Sequence, residues 1–159
     1  MTAEQLLASD IAERRTSSES GMVALIRSSF DLVAPHTEAL GRHFYATLFS
    51  TAPATRDLFP VNMEVQRSRL LRALVHVVQM VDQTEELVPF LQQLGRDHRK
   101  FGVLAEHYDA VGVALLGAIE HFAGDAFTPA VKAAWTEAYG IAAQAMRTAA
   151  AAERGPASW

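Results

Sequence analysis

The chain has 159 residues, with 14 basic and 18 acidic side chains, a net charge of −4 and no cysteine. A chain of that length makes about one domain and buries roughly 70% of its unfolded surface, enough for a core of its own. The acidic balance and the lack of a basic run exclude a nucleic-acid binder, and the missing cysteine excludes disulfides, thiol nucleophiles and thiolate metal centres.

The opening, MTAEQLLASDIAERR, has acidic residues between its apolar ones and reads as no signal peptide. No apolar run approaches the roughly 18 residues of a membrane span, so a cytoplasmic protein without membrane insertion is expected. Residues 1–18 read as a polar, partly ordered N-terminal extension. Thr16-Ser17-Ser18-Glu19 has capping-box spacing. A first helix is predicted from there to about Val33, with Met22, Ile26, Phe30 and Val33 on one face. Pro35 suits the first turn of a second helix reaching Ser50, and Pro53 opens a short one ending near Phe59-Pro60. Helical pattern resumes from Glu64 to Val81 and again from Glu85 to Lys100, with Gly102 placed for a left-handed cap. Another helix is predicted over Ala105 to Phe122. Thr128-Pro129 then starts the last one, which runs to about Ala150 and frays. No period-2 alternation or hairpin signal is present, so the prediction is all-α, one domain, with about seven helices.

Leu87, Leu91, Leu94 and His98 are spaced by four, three and four residues and form one stripe of a helix. The stripe faces the core and a histidine ends it. Such an imidazole is hydrogen-bonded, as to a backbone carbonyl at the core edge, protonated at a cost, or bound to a metal. His36, His43, His76, His107 and His121 offer no i, i+4 pair for a zinc site. An apolar cavity with a single nitrogen ligand is the remaining metal chemistry, and it is what a haem iron requires.

Four segments carry a resemblance to the globins, over about Ser20 to Met146: HFYATLF from His43, RDLF from Arg56, LGRDHRKFGVLAEHYDAVG from Leu94 and KAAWTEAYGIAAQAM from Lys132. The chain most resembles single-domain bacterial haemoglobins and the globin half of flavohaemoglobins. The resemblance implies a three-over-three globin fold over residues 19–151, a flexible tail over 152–159, and one haem b. It makes His98 the proximal iron ligand and puts Leu94, Val103 and Val111 against the porphyrin. Phe59 would stack on the haem. Tyr45, Gln66 and Leu70 would line the distal, gas-binding side, where a phenol and a carboxamide can donate to a bound oxygen that gathers negative charge.

The resemblance further implies O2, NO and CO as ligands. It supports an oxygen-binding or transport protein first, an NO dioxygenase with an external reductase second, and a gas or redox sensor third. No flavin or nicotinamide motif is present, so turnover is expected to need an outside electron donor. One departure stands out. Bacterial relatives often pair a proximal tyrosine with a glutamate on the last helix. Tyr108 keeps the first member, but Ala150 stands where the glutamate is expected, and Glu153 is three residues further on. Loss of that pair argues for reversible ligand binding over peroxidase-like chemistry.

Overall fold

A computed structural model describes the backbone of residues 2–152 and the side chains of 2–7 and 20–152. The all-α expectation holds, with no strand among the described residues. The first helix, α1, spans Ala3–Val33. It therefore begins well before the Thr16 capping signal, and the expected loose extension is helical. The reason is an earlier capping box. The Thr2 hydroxyl accepts from the Gln5 N–H at 3.2 Å, and the Gln5 side chain accepts from the Thr2 N–H at 2.9 Å. No glycine or proline lies between Ala3 and Ser20 to stop the helix. The expected tail beyond Ala152 lies outside the described residues.

Pro35 does not open the second helix. It sits in a 3-10 turn, Ala34–His36, because proline lacks the N–H that would continue the α1 ladder. The remaining helices are α2 (Thr37–Thr51), α3 (Glu64–Gln79), α4 (Thr84–Lys100), α5 (His107–Ala123) and α6 (Pro129–Ala152). Pro53–Leu58 and Gly124–Ala126 are further 3-10 turns. The α6 start is as expected, with the Thr128 hydroxyl accepting from the Val131 N–H at 3.2 Å and Pro129 in the first turn. No helix among the described residues is long and apolar enough to cross a membrane.

Helix α2 packs on α5, α1 on α5 and α6, and α4 on α6. A main apolar cluster centres on Ile26, Val33, Leu40, Leu48 and Ile119. Inside it the Trp135 indole N–H donates to the Ser29 hydroxyl at 2.9 Å, so both buried polar groups are satisfied. A second cluster, around Leu91, Tyr108, Ala143 and Met146, joins α4, α5 and α6. Gly95 makes the α4–α6 approach possible. A Cβ there would lie 2.6 Å from Met146 Cα and 2.8 Å from its carbonyl carbon. That obstacle is backbone and cannot swing aside. Gly95→Ala is therefore expected to push α4 off α6 and to lower stability by about 1–3 kcal/mol, read as a lower denaturation midpoint. An unchanged midpoint would mean the helices already tolerate more separation.

Candidate functional site

Helix α4 presents His98 on the stripe read from the sequence: Leu91 is buried, and Leu87, Leu94 and His98 are half-buried. The helix end is fixed by a complete left-handed cap. Gly102 has φ of 91°, its N–H donates to the Arg99 carbonyl at 3.0 Å, and the Val103 N–H donates to the His98 carbonyl at 3.0 Å. The His98 ring nitrogen Nδ1 meets the Leu94 carbonyl at 2.8 Å. A carbonyl only accepts, so Nδ1 carries the proton and Nε2 keeps its lone pair. Burial pushes the imidazole pKa down, against smaller upward pulls from the Leu94 carbonyl and Asp97. A neutral imidazole with a free Nε2 is the form a metal binds. The core-edge reading and the metal reading share this contact. Among the described residues no group of three or more His, Cys, Asp or Glu side chains could hold a metal ion, so an ion bound by side chains alone has no site there.

A second group of site residues forms around Tyr45 on α2. Tyr45 is buried, and Gln66, near the start of α3, donates its amide N–H to the Tyr45 oxygen at 3.1 Å. The phenol oxygen is thereby an acceptor and its proton remains available to another group. Burial pushes the Tyr45 pKa up, opposed by the Gln66 hydrogen bond, so the hydroxyl stays protonated. Phe59 meets Tyr45 edge-on at 5.4 Å and lies 5.7 Å from Phe49. Leu70 is half-buried one turn beyond Gln66 and packs on the same cluster, as does Val111 from α5. Arg56 fixes the corner that carries Phe59. Its guanidinium donates to the carbonyls of Phe59, Pro60 and Val61 at 3.2, 3.0 and 3.2 Å and sits 5.1 Å over the Phe49 ring.

Leu94, Val103 and Tyr108 belong to the second apolar cluster. Tyr108 is buried, but among the described residues no hydrogen bond joins it to His98. Instead its carbonyl accepts from the Tyr139 hydroxyl at 2.6 Å, and the Arg147 guanidinium lies 5.3 Å over its ring. Gly112 leaves room for Tyr139, whose ring would stand 2.7 Å from a Cβ there. The Ala150 carbonyl accepts from Arg99 at 3.3 Å, and Glu153 lies outside the described residues. The structure thus joins Tyr45, Gln66 and Phe59 directly, and Leu94, His98 and Val103 directly, as two groups on different helices.

Burial raises the pKa of three tyrosines, Tyr45, Tyr108 and Tyr139, above the ordinary 10.0. The unfolded chain loses these protons near pH 10 while the folded chain retains them. The folded state then binds more protons, so stability falls as pH rises from about 10 through the raised folded values. Urea unfolding at stepped alkaline pH, with phenolate absorbance alongside, is expected to show this fall, and Tyr139→Phe is expected to make it shallower. A flat profile would contradict the burial of these hydroxyls.

The sequence matches the globin family over residues 42–146. Flavohemoproteins are similar to it: that of Bacillus subtilis is 33% identical over 126 residues, covering 77% of this chain and 32% of the relative. That of Bordetella parapertussis is 33% identical over 120 residues, covering 74% of this chain and 30% of the relative. The chain spans about a third of the length of these relatives. Among solved structures, a bacterial globin from Campylobacter jejuni superposes with a TM-score of 0.73 at 24% identity, covering 84% of this chain and 96% of that one. An engineered carbene transferase of Rhodothermus marinus, named for nitric oxide dioxygenation, superposes with a TM-score of 0.75 at 29% identity, covering 84% of this chain and 94% of that one. The three-over-three fold implied by the resemblance is the fold of these neighbours. By the match over residues 42–146 and by its helical architecture, the chain belongs to the globin family.

Proposed function

We propose that this chain holds one haem b between the Tyr45–Gln66 pair and the His98 helix, and that it binds dioxygen reversibly, with NO and CO as further ligands. The observation that carries this is the His98–Leu94 contact at 2.8 Å, which leaves Nε2 unprotonated and oriented by its own helix. The donor set fits the group. One neutral imidazole supplies the axial nitrogen, and apolar Phe59, Leu70, Leu94, Val103 and Val111 supply walls of the kind a porphyrin packs against. When bound, the haem would supply an iron able to take diatomic gases, with His98 as the residue that would hold it.

The rest is done by the chain. Tyr45 keeps a proton at neutral pH and has its oxygen already engaged by Gln66, so its O–H is poised as the principal donor to a ligand that gathers negative charge. Gln66 acts first as the residue that orients Tyr45, and its second amide proton can add a weaker donation. Leu70 excludes water beside them. Residues 19–151 form the haem-binding domain in this reading, and the first half of α1 is an extension to it.

A second reading, NO dioxygenation with an external reductase, is favoured by the flavohemoprotein relatives and by the Rhodothermus marinus neighbour named for that reaction. Both readings fit a cytoplasmic protein, the place read from the sequence. Cycling ferrous protein between air and argon separates them. Recovery of the ferrous spectrum over repeated cycles supports reversible binding. Oxidation to ferric on first exposure, together with sustained NO consumption when a flavin reductase and NADH are added, overturns it in favour of the dioxygenase.

A further inference from the structure

On α6, which packs against the His98 helix, the fold keeps a cation that the ligand-binding reading does not use. Arg147 on α6 has a side chain only 34% exposed, and its Nε is buried without a hydrogen-bond partner. Its guanidinium lies over the Tyr108 ring at 5.3 Å. Among the described residues the carboxylate it reaches is Asp109, at 3.4 Å, and that side chain is 89% exposed. The pair is long and mostly solvated on the acidic side, so the positive charge is poorly neutralised. The same cation pulls the Tyr108 and Tyr139 pKa values down against burial.

Its placement relative to His98 follows from two contacts between α4 and α6. Gly95 abuts the Met146 backbone, and Arg99 donates to the Ala150 carbonyl at 3.3 Å. The helices therefore run in the same direction and in step. Arg147 is level with the α4 turn, Gly95 to Arg99, that carries His98. Tyr108, on which it stacks, packs in the same cluster as Leu94, whose carbonyl holds the His98 ring.

We propose that Arg147 is a positioning residue of the proximal side, a fixed positive charge behind His98 that favours ferrous over ferric iron. The inference rests on the reading of His98 as the axial ligand. Ferric haem carries one more positive charge than ferrous haem, so a nearby cation destabilises the ferric form more. Partial exposure of Arg147 screens the effect and keeps it modest. Tyr108 acts as the platform that holds the guanidinium by cation–π attraction in a partly desolvated place.

The test is spectroelectrochemical titration of haem-loaded protein. Arg147→Met keeps the length and removes the charge. At a fixed potential it is expected to shift the ferrous-to-ferric ratio about threefold toward ferric, a fall of about 28 mV at 59 mV per tenfold for one electron. Arg147→Lys is expected to restore at least half of that shift, which a packing role alone would not do. Asp109→Asn, at an exposed site outside the proposed pocket, is expected to shift the ratio toward ferrous. Should Arg147→Met fail to fold, Asp109→Asn still decides the matter. An unchanged ratio in folded Arg147→Met, or in Asp109→Asn, overturns the proposal. Failure of the underlying reading has a separate signature: wild-type ferrous protein lacking an iron–histidine stretch in its resonance Raman spectrum removes the ligand assignment and this inference with it.

Discussion

His98→Ala is expected to remove the axial bond to iron and leave a weakly held haem with an altered ferrous spectrum. Loss of an outer-shell partner costs a metal site roughly 10–100-fold in affinity, and loss of the ligand itself is expected to exceed that. The effect is expected to be specific to His98 because the other histidines make ring or backbone contacts of their own away from the α4 stripe. His107 uses Nδ1 to accept the Leu104 N–H at 2.9 Å, in the turn that precedes α5. His107→Ala is therefore expected to keep the native spectrum and to lose about 1 kcal/mol of stability at most, the usual net worth of one hydrogen bond. Haem titration into both variants, followed by absorption spectra of the reduced forms, decides it. A native spectrum in His98→Ala with loss in His107→Ala would reverse the assignment.

The second large effect is expected at Tyr45. Hydrogen bonds to charged groups contribute about 1.5–3 kcal/mol, and each 1.4 kcal/mol is tenfold in rate or affinity. Tyr45→Phe should then speed O2 dissociation by roughly tenfold or more. Gln66→Leu should have a smaller effect. In this structure its amide holds the Tyr45 oxygen at 3.1 Å, so its loss frees Tyr45 to reorient and leaves the phenol proton in place. CO gathers less charge than O2 and should respond less to either change. Flash photolysis and stopped-flow release for both gases supply the comparison. Equal acceleration of O2 and CO would point to steric gating and remove Tyr45 from the donor role.

The helices and the stripe that carries His98 were legible because they are local. Apolar spacing of four, three and four placed His98 at the end of a stripe, and the glycine two residues past the helix end supplied the left-handed cap that fixes its backbone. Thr128-Pro129 marked the start of α6 for the same reason. The start of α1 falls earlier than the Thr16 signal places it because two capping signals compete. The Thr2–Gln5 box opens the helix first, and nothing between it and Thr16 breaks it. The Tyr45–Gln66 hydrogen bond joins residues 21 apart on different helices, and spacing along one chain carries no sign of it. The grip of Arg56 on the Phe59 corner was half legible. The RDLF segment was singled out, but an arginine that answers three loop carbonyls reads in sequence as any surface cation. Arg147 was not legible. Absence of a carboxylate at position 150 could be read directly, whereas a guanidinium over Tyr108 depends on how α6 crosses α5.

The central claim, one histidine on iron and an open opposite face, is tested most directly by the spin and coordination state of the ferrous protein. A second internal ligand of the bis-histidine kind would come from another histidine, and the ring contacts of the candidates do not favour it. His76 is ten residues past Gln66, about 80° round the helix, and its ring meets Phe90 at 4.6 Å. His43 stacks on His121 at 4.6 Å, and His36 stacks on Phe122 at 5.7 Å. The account predicts a five-coordinate, high-spin ferrous spectrum and CO binding whose rate rises linearly with CO. A low-spin, bis-histidine ferrous spectrum, with a CO rate that saturates as a side chain leaves, would contradict it.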